Sequence, residues 1–395
     1  NCVIQRATQR MKATRPITVD AARAKLPAGG AWQALDLMSQ GKVQVISTTA
    51  KPTDQAFLAM QELDRLASLD AEWDWSKVAI ISREWKYLEP VRAYCELFDV
   101  PVQMADEQAP SLWRMRETQQ LMQWMNERDS TLVSMEAIEA WLEKQGDGPW
   151  WEQLKVLVAD LKLELGEAEI PCQHFVDSVV EWGRDMRRRQ SALLLTTAHR
   201  AKGLEFDHVL VLDGAWEKAG NNEDKDASRR LYYVAMSRAK QTLTLMQMPA
   251  LNPFLNAETI DEPIFLKRQI PDLAPDVSKD LQKRYLTLTL KDVDIGYAGR
   301  RPSNHPIHKR ISAIQPNDQL ALRFTDNRWT LLDSAGETVG CLAKNFVPPP
   351  DMSLESCRVH AIMQRARQDT PDDWQHTVMC DEWEVLLPKL TYGAE

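Results

Sequence analysis

Short apolar runs alternate with amphipathic stretches in two separate parts of the chain. The runs have the length and composition of buried strands, and the stretch after Asp54 places Phe57, Met60 and Leu63 at helical spacing. The strand candidates are residues 43–46, 78–81, 193–197, 209–212 and 242–245. Such alternation is typical of a parallel α/β sheet. We therefore predict one sheet domain whose first part is 1–110 and whose second part is 191–256.

Between these two parts the strand signals stop and the period becomes helical. Leu154, Val158 and Leu161 fall on one face of a helix that Gly166 closes. We predict that residues 111–190 form an all-helical insertion in the α/β domain. Five tryptophans lie here at helical spacing, which favours core packing over an exposed aromatic surface. They are Trp113, Trp124, Trp141, Trp150 and Trp151.

After the second part, the chain changes to the alternating pattern of antiparallel strands. The predicted strands are 320–324, 328–332, 338–342, 359–363 and 383–387, with a turn at Asp326-Asn327 and another through Gly336. Short strands of this kind close most simply into a small barrel. We predict a linker over 257–284 and a β-rich, barrel-like domain over 285–395.

Composition limits the cellular setting. No apolar run has the length of a membrane span, and no stretch has the pattern of a signal peptide. Six cysteines are scattered without a CxxC pair, so we expect reduced thiols, a cytoplasmic location and no membrane partner. The net charge of −9 argues against coating of nucleic acid by bulk electrostatics but allows a local basic track.

Two motifs flank a charged loop in the second part of the sheet domain. The first is Thr197-x-His199-x-x-Lys202-Gly203-Leu204-Glu205-Phe206, and the second is Arg229-Arg230-Leu231-x-Tyr233-Val234-x-x-Ser237-Arg238-Ala239. In this order the pair resembles motifs V and VI of UvrD/Rep-like superfamily 1 DNA helicases. The resemblance implies that residues 1–110 and 191–256 form the second RecA-like motor domain, with an accessory insertion between them.

The resemblance also implies roles for the residues of the first motif. Glu205 is expected beside the nucleotide ribose, and Gly203 is expected to let the backbone approach the nucleotide closely. Thr197 and His199 are expected to couple the nucleotide cleft to single-stranded DNA. Arg200 and Lys202 add positive charge there, so we predict that they bind DNA as well. A packed turn histidine is the alternative interpretation of His199.

Arg238 is the predicted catalytic residue of the second motif. Its family counterpart reaches the γ-phosphate of ATP, where a guanidinium neutralises charge during phosphoryl transfer. The alternative is a structural arginine at a helix end. One position departs from the family pattern, because Ser228 stands where a glutamate usually precedes the arginine pair.

No P-loop of the form GxxxxGK[ST] occurs in the sequence. Gly41-Lys42 is followed by Val43, and the strand that ends at Asp213 imitates a Walker B strand but follows the first motif. We therefore expect ATP and Mg²⁺ to bind only with an ATP-binding motor domain upstream in the full-length protein. The chain alone is predicted to be inactive.

Two functions stay open at this point. One is the C-terminal portion of an ATP-dependent DNA helicase or translocase that moves on single-stranded DNA. The other is a non-catalytic DNA-binding or scaffold module with a helicase fold. The presence of both Glu205 and Arg238 favours the helicase.

Overall fold

A computed structural model describes residues 30, 32–107, 110–128, 130–166, 169–188, 190–218, 227–249, 252–255, 264–267 and 275–394. The chain divides into two compact units, apart from its last two residues. The first unit contains Asn1–Glu107 and Gln190–Arg284, and the second contains Gln108–Arg189 and Tyr285–Gly393.

The described helices and strands are numbered in chain order. The helices are α1 (Trp32–Leu35), α2 (Pro52–Ala67), α3 (Glu89–Leu97), α4 (Arg116–Asn126), α5 (Met135–Leu142), α6 (Pro149–Leu165), α7 (Cys172–Arg188), α8 (Ala227–Met236), α9 (Pro275–Asp280), α10 (Pro306–Ala313) and α11 (Asp372–Gln375). The strands are β1 (Gln44–Ser47), β2 (Val78–Ser82), β3 (Val102–Met104), β4 (Leu132–Val133), β5 (Ile170–Pro171), β6 (Leu193–Thr197), β7 (Phe206–Val211), β8 (Ala239–Gln247), β9 (Ile264–Lys267), β10 (Arg284–Thr287), β11 (Ala321–Thr325), β12 (Arg328–Leu332), β13 (Thr338–Cys341), β14 (Met352–Ala366) and β15 (Glu382–Ala394).

The first unit is built on a seven-stranded sheet with the order β3-β6-β2-β7-β8-β1-β9. Within this sheet, every strand pair with a described register is parallel. Val78 lies beside His208 on one side, and Ile81 lies beside Thr196 on the other. Strands from both separated parts of the chain are therefore interleaved in one sheet, and the predicted parallel α/β domain is confirmed.

Both faces of this sheet are covered by apolar side chains. One face packs against Met60 and Leu63 of α2 and Val91 of α3. The other face packs against Trp216 and against Tyr232 of α8. Burial on both faces explains why β2 and β6 are continuous apolar runs without polar alternation, as parallel strands usually are.

The predicted linker over 257–284 is wrong in part, because it contains regular structure. Strand β9 pairs in parallel with β1 and extends the sheet at its edge. Further on, Leu281 is buried in the same core as α2 and α3. Strand β9 is only four residues long, and the open edge of β1 gives it a partner that the sequence pattern does not reveal.

The second unit contains the five β-strands predicted near the C-terminus, and two of them are longer than predicted. Its described strands form two three-stranded sheets, β10-β15-β14 and β11-β12-β13, and the two-stranded sheet β4-β5, so the predicted barrel is not one continuous sheet. Asp326 and Asn327 have φ angles of 52° and 58° and join β11 to β12. Two consecutive left-handed residues are what a two-residue hairpin turn requires.

The helices of residues 111–190 share one hydrophobic core with these sheets. Phe175 of α7 and Leu154 of α6 are buried in the same cluster as Ile362 and Leu387. Trp150 donates from Nε1 to the carbonyl oxygen of His360 at 2.9 Å. Residues 111–190 and 285–395, predicted from the sequence as two domains, share one core in the structure. Each part has one apolar face, and the two faces cover each other.

Candidate functional site

Residues 198–205 connect β6 to β7, which lie on opposite sides of β2. Thr197 at the end of β6 is level with Ser82, the last residue of β2. Strand β7 passes Val78, the first residue of β2, at His208, two residues after it begins. The connection therefore crosses more than about 13 Å along the strands, from the carboxyl edge of the sheet to its amino edge.

The connection begins with a single helical turn. The carbonyl oxygen of Thr197 accepts hydrogen bonds from the backbone N–H groups of Arg200 and Ala201, both at 3.0 Å. Gly203 has φ +90°, which side-chain-bearing residues rarely adopt, and no atom lies within 4 Å of where a Cβ would stand. The turn therefore needs a glycine for its backbone conformation, and its surroundings are open.

At the carboxyl edge, His199 meets a residue that the sequence analysis did not single out. Arg83 Nη1 lies 3.2 Å from His199 Nδ1, and Arg83 Nη2 donates to the carbonyl oxygen of Lys218 at 3.0 Å. The sequence contains a signal that could have identified Arg83 as a site residue, because Arg83 directly follows the buried strand β2. The carboxyl ends of neighbouring parallel strands meet at one edge, which is where ligands bind in open α/β sheets.

The other predicted DNA-binding residues of this edge differ in their surroundings. Arg200 donates from Nη1 to the carbonyl oxygen of Ala105 at 2.8 Å, and its guanidinium carbon lies 5.6 Å from the ring centroid of Trp85. Lys202 is exposed. Thr197 is buried, with 7% of its surface exposed. Arg200 thus connects the turn to β3 and to Trp85, and His199 and Lys202 present the exposed polar surface.

At the amino edge, the guanidinium of Arg238 makes three hydrogen bonds. Nε donates to the carbonyl oxygen of Val234 at 3.0 Å, and Nη2 donates to Ser237 Oγ at 3.0 Å. Nη1 donates to the carbonyl oxygen of Leu204 at 2.9 Å. Arg238 therefore joins the last turn of α8 to the end of the 198–205 connection.

Glu205 lies at the same end of the connection as Arg238. Glu205 lies next to Phe206, whose N–H donates to the carbonyl oxygen of Arg238 at 2.9 Å. The Glu205 carboxylate is exposed and lies 3.8 Å from Lys240 Nζ. The predicted site residues therefore form two groups on opposite edges, linked by a single turn.

Ser228, the departure from the family motif, has a structural role at the start of α8. Its hydroxyl donates to the carbonyl oxygen of Lys218 at 2.8 Å. The side chain is buried, with 1% of its surface exposed. A buried serine thus connects this helix start to the segment that follows β7.

Asp213, which imitates a Walker B aspartate, is held by backbone groups. Its two carboxylate oxygens accept hydrogen bonds from the N–H groups of Gly214 and Met248, both at 2.8 Å. Burial raises the pKa of Asp213. These bonds connect the chain just after β7 to the chain just after β8.

Gly203, Glu205 and Arg238 are the residues predicted to contact the nucleotide. Open space surrounds the position that a Cβ of Gly203 would take, and the Arg238 guanidinium donates to the carbonyl oxygen of Leu204, the next residue along the chain. Within the described ranges, no three His, Cys, Asp or Glu side chains are grouped so that they could hold a metal ion.

Comparison with known proteins identifies the class of this site. Residues 180–249, which include both motifs, match the UvrD-like helicase C-terminal domain family. The resemblance inferred from the motifs is confirmed for this segment. No curated protein matches the chain.

One similar solved structure is the C-terminal domain of a possible DNA helicase from Lactobacillus plantarum WCFS1. It is 17% identical, covers 56% of this chain and 83% of its own length, and has a TM-score of 0.28. The fold assignment rests instead on the strand register described above. Among the described helices, none is both long and apolar enough to cross a membrane.

Proposed function

We propose that this chain supplies the second motor domain of a cytoplasmic, ATP-dependent DNA helicase or translocase. In this proposal, ATP and Mg²⁺ bind between the amino edge of the sheet and a P-loop motor domain located upstream in the full-length protein. Single-stranded DNA binds at the carboxyl edge. The observation that carries the proposal is the 198–205 connection, which links the two groups of site residues through one short turn.

At the amino edge, Arg238 is the proposed arginine finger, and Gly203 and Glu205 contact the nucleotide. The Arg238 guanidinium is bonded to two carbonyl oxygens and one hydroxyl. To reach a phosphate it must exchange the bond to Leu204 for a stronger charge-assisted one. Loss of the bond to Leu204 releases the end of the turn. Nucleotide binding at the amino edge then changes the position of the residues at the carboxyl edge.

At the carboxyl edge, Thr197, His199, Arg200 and Lys202 are the proposed DNA-binding residues. Arg83 joins them, because it lies within hydrogen-bonding distance of His199. The exposed side chains bind phosphates and bases, while Thr197 and Arg200 hold the turn in place through the contacts described above. The proposal therefore assigns positioning roles to the buried or bonded members of the group.

Kinetics of the full-length protein test these assignments. Arg238→Ala should lower the kcat of DNA-stimulated ATP hydrolysis by on the order of 10³ or more and leave the affinity for single-stranded DNA nearly unchanged. His199→Ala should lower the affinity for single-stranded DNA more than it lowers kcat. Arg358 is an exposed arginine in the second unit, and Arg358→Ala should change neither quantity.

The lysine variant separates the two interpretations of Arg238. Arg238→Lys keeps the positive charge but loses the planar fork that matches a phosphate. If it hydrolyses ATP at the wild-type rate, Arg238 is structural. The non-catalytic DNA-binding or scaffold module would then be the better assignment, and the three structural bonds of Arg238 are the observation that favours it.

A further inference from the structure

A five-residue segment directly after β2 carries charged and aromatic side chains at the carboxyl edge. We call residues 83–87 the 83–87 loop. Its Glu84 carboxylate contacts two ammonium groups, one with each oxygen. Lys218 Nζ donates to Oε1 at 3.0 Å, and Lys86 Nζ lies 2.9 Å from Oε2.

The loop is held in place without the Glu84 carboxylate. Ser82 Oγ donates to the backbone carbonyl of Glu84 at 2.8 Å, and Arg83 binds the backbone carbonyl of Lys218. The ring of Tyr87 lies directly against Gly214, since a Cβ there would stand 2.4 Å from Tyr87 Cζ. Backbone bonds and ring packing therefore set the positions from which Lys86 and Lys218 extend.

The ion pairs themselves contribute little to folding. Both lysine side chains are about half exposed, and exposed pairs of this kind have small net energies because water and salt screen them. The same exposure leaves both ammonium groups accessible to an external anion. The carboxylate holds two cations with two oxygens, as the non-bridging oxygens of a phosphodiester would.

We propose that Lys86 and Lys218 form a phosphate-binding site for single-stranded DNA, and that Glu84 occupies this site when no DNA is bound. The inference rests on the proposed function, which assigns DNA to the same edge. Arg83 connects the two places, since it contacts both His199 and the carbonyl of Lys218. DNA that reaches His199 thus passes next to the lysine pair.

Competition between Glu84 and a phosphate predicts the effect of removing the carboxylate charge. Glu84→Gln raises the summed charge of the three side chains from +1 to +2 and frees both ammonium groups for phosphate. We expect DNA affinity to rise by about threefold to tenfold. The slope of log affinity against log salt should steepen by about 0.7 for each lysine that gains a phosphate.

Fluorescence anisotropy of the 395-residue protein with labelled oligo-dT, over a series of salt concentrations, measures both quantities. Glu84→Gln and Glu84→Ala should both bind more tightly than wild type. Lys86→Ala with Lys218→Ala should bind more weakly, and adding Glu84→Gln to that pair should give no gain. Glu152→Gln is the matched control, because Glu152 pairs with Lys155 at 2.7 Å in the second unit.

The outcomes separate this inference from the proposed function. If wild type binds oligo-dT but Glu84→Gln has wild-type affinity and salt slope, Glu84 does not compete with DNA and the inference is wrong. The inference is also wrong if Glu84→Gln still raises the DNA affinity when Lys86 and Lys218 are both alanine. If neither wild type nor Glu84→Gln binds oligo-dT, the proposed function is wrong in assigning DNA to this edge, and the inference that rests on it is wrong as well.

Discussion

Arg238 and Leu204 are joined by a hydrogen bond of 2.9 Å from the guanidinium Nη1 to the Leu204 carbonyl oxygen. The bond connects the residue before β8 to the connection between β6 and β7. Leu204 is also tied back to the turn, since its N–H donates to the carbonyl oxygen of Ala201 at 3.1 Å. A short bonded path therefore leads from the proposed arginine finger towards His199.

The isolated 395-residue chain should hydrolyse ATP no faster than background, with or without single-stranded DNA. Its sequence contains no P-loop, so no glycine-rich backbone cradle is available for the triphosphate. A sensitive phosphate-release assay on the purified chain checks this, with Arg238→Ala as the comparison. DNA-stimulated turnover that Arg238→Ala abolishes would contradict the need for a separate P-loop domain.

Gly214→Ala should destabilise the first unit by about 2 kcal/mol or more. Gly214 has φ +116°, and a Cβ at this position would overlap the Tyr87 ring. Denaturant unfolding measures the change. Gly203→Ala is the matched control, because Gly203 has φ +90° but open space around it. Equal losses in the two variants would mean that backbone strain alone, and not contact with Tyr87, makes Gly214 necessary.

His208 should make the stability of the first unit fall in mild acid. Burial lowers its pKa from 6.5 to about 4 in the folded state. Between these values the unfolded chain holds a proton that the folded chain does not. The stabilisation is therefore complete above pH 6.5 and declines as the pH falls towards 4, by about 3 kcal/mol in total.

Unfolding of wild type and His208→Asn across this pH range isolates the contribution of His208. The wild-type curve should decline more steeply than that of the variant. His376→Asn, a change at an exposed histidine of the second unit, should leave the wild-type slope unchanged. Parallel curves for wild type and His208→Asn would show that His208 does not titrate between the two pKa values.

Arg116→Met should destabilise the second unit by about 3 kcal/mol. Arg116 of α4 is buried and forms an ion pair with Glu384 of β15, and its Nη2 also donates to the carbonyl oxygen of Ile311 at 2.8 Å. Removal of the guanidinium leaves these acceptors without their donor. Arg323→Met, at an exposed position of β11, is the control, and a similar small loss in both variants would contradict the prediction.

Patterns in the sequence predict most of the segments that form strands and helices, and they contain the two motifs that carry the helicase resemblance. Apolar runs such as 78–81 and 209–212 are clear signals of buried strands, because a strand that is buried on both faces is a nearly continuous apolar run. The 193–206 and 229–239 motifs identified the helicase resemblance that the 180–249 family match confirms. These properties are local, since they depend on neighbouring residues along the chain.

Which of these residues lie together depends on how distant segments pack in the folded chain. The register of β6 and β7 on β2 separates Thr197 and His199 from Glu205, although Glu205 follows His199 closely in sequence. The parallel arrangement also brings Arg83 to His199 across 116 positions of the chain. The helices of 111–190 and the β-rich segment share one core because apolar side chains of each pack against the other. Strand register and mutual burial are relations between distant segments, so no pattern within one segment contains them.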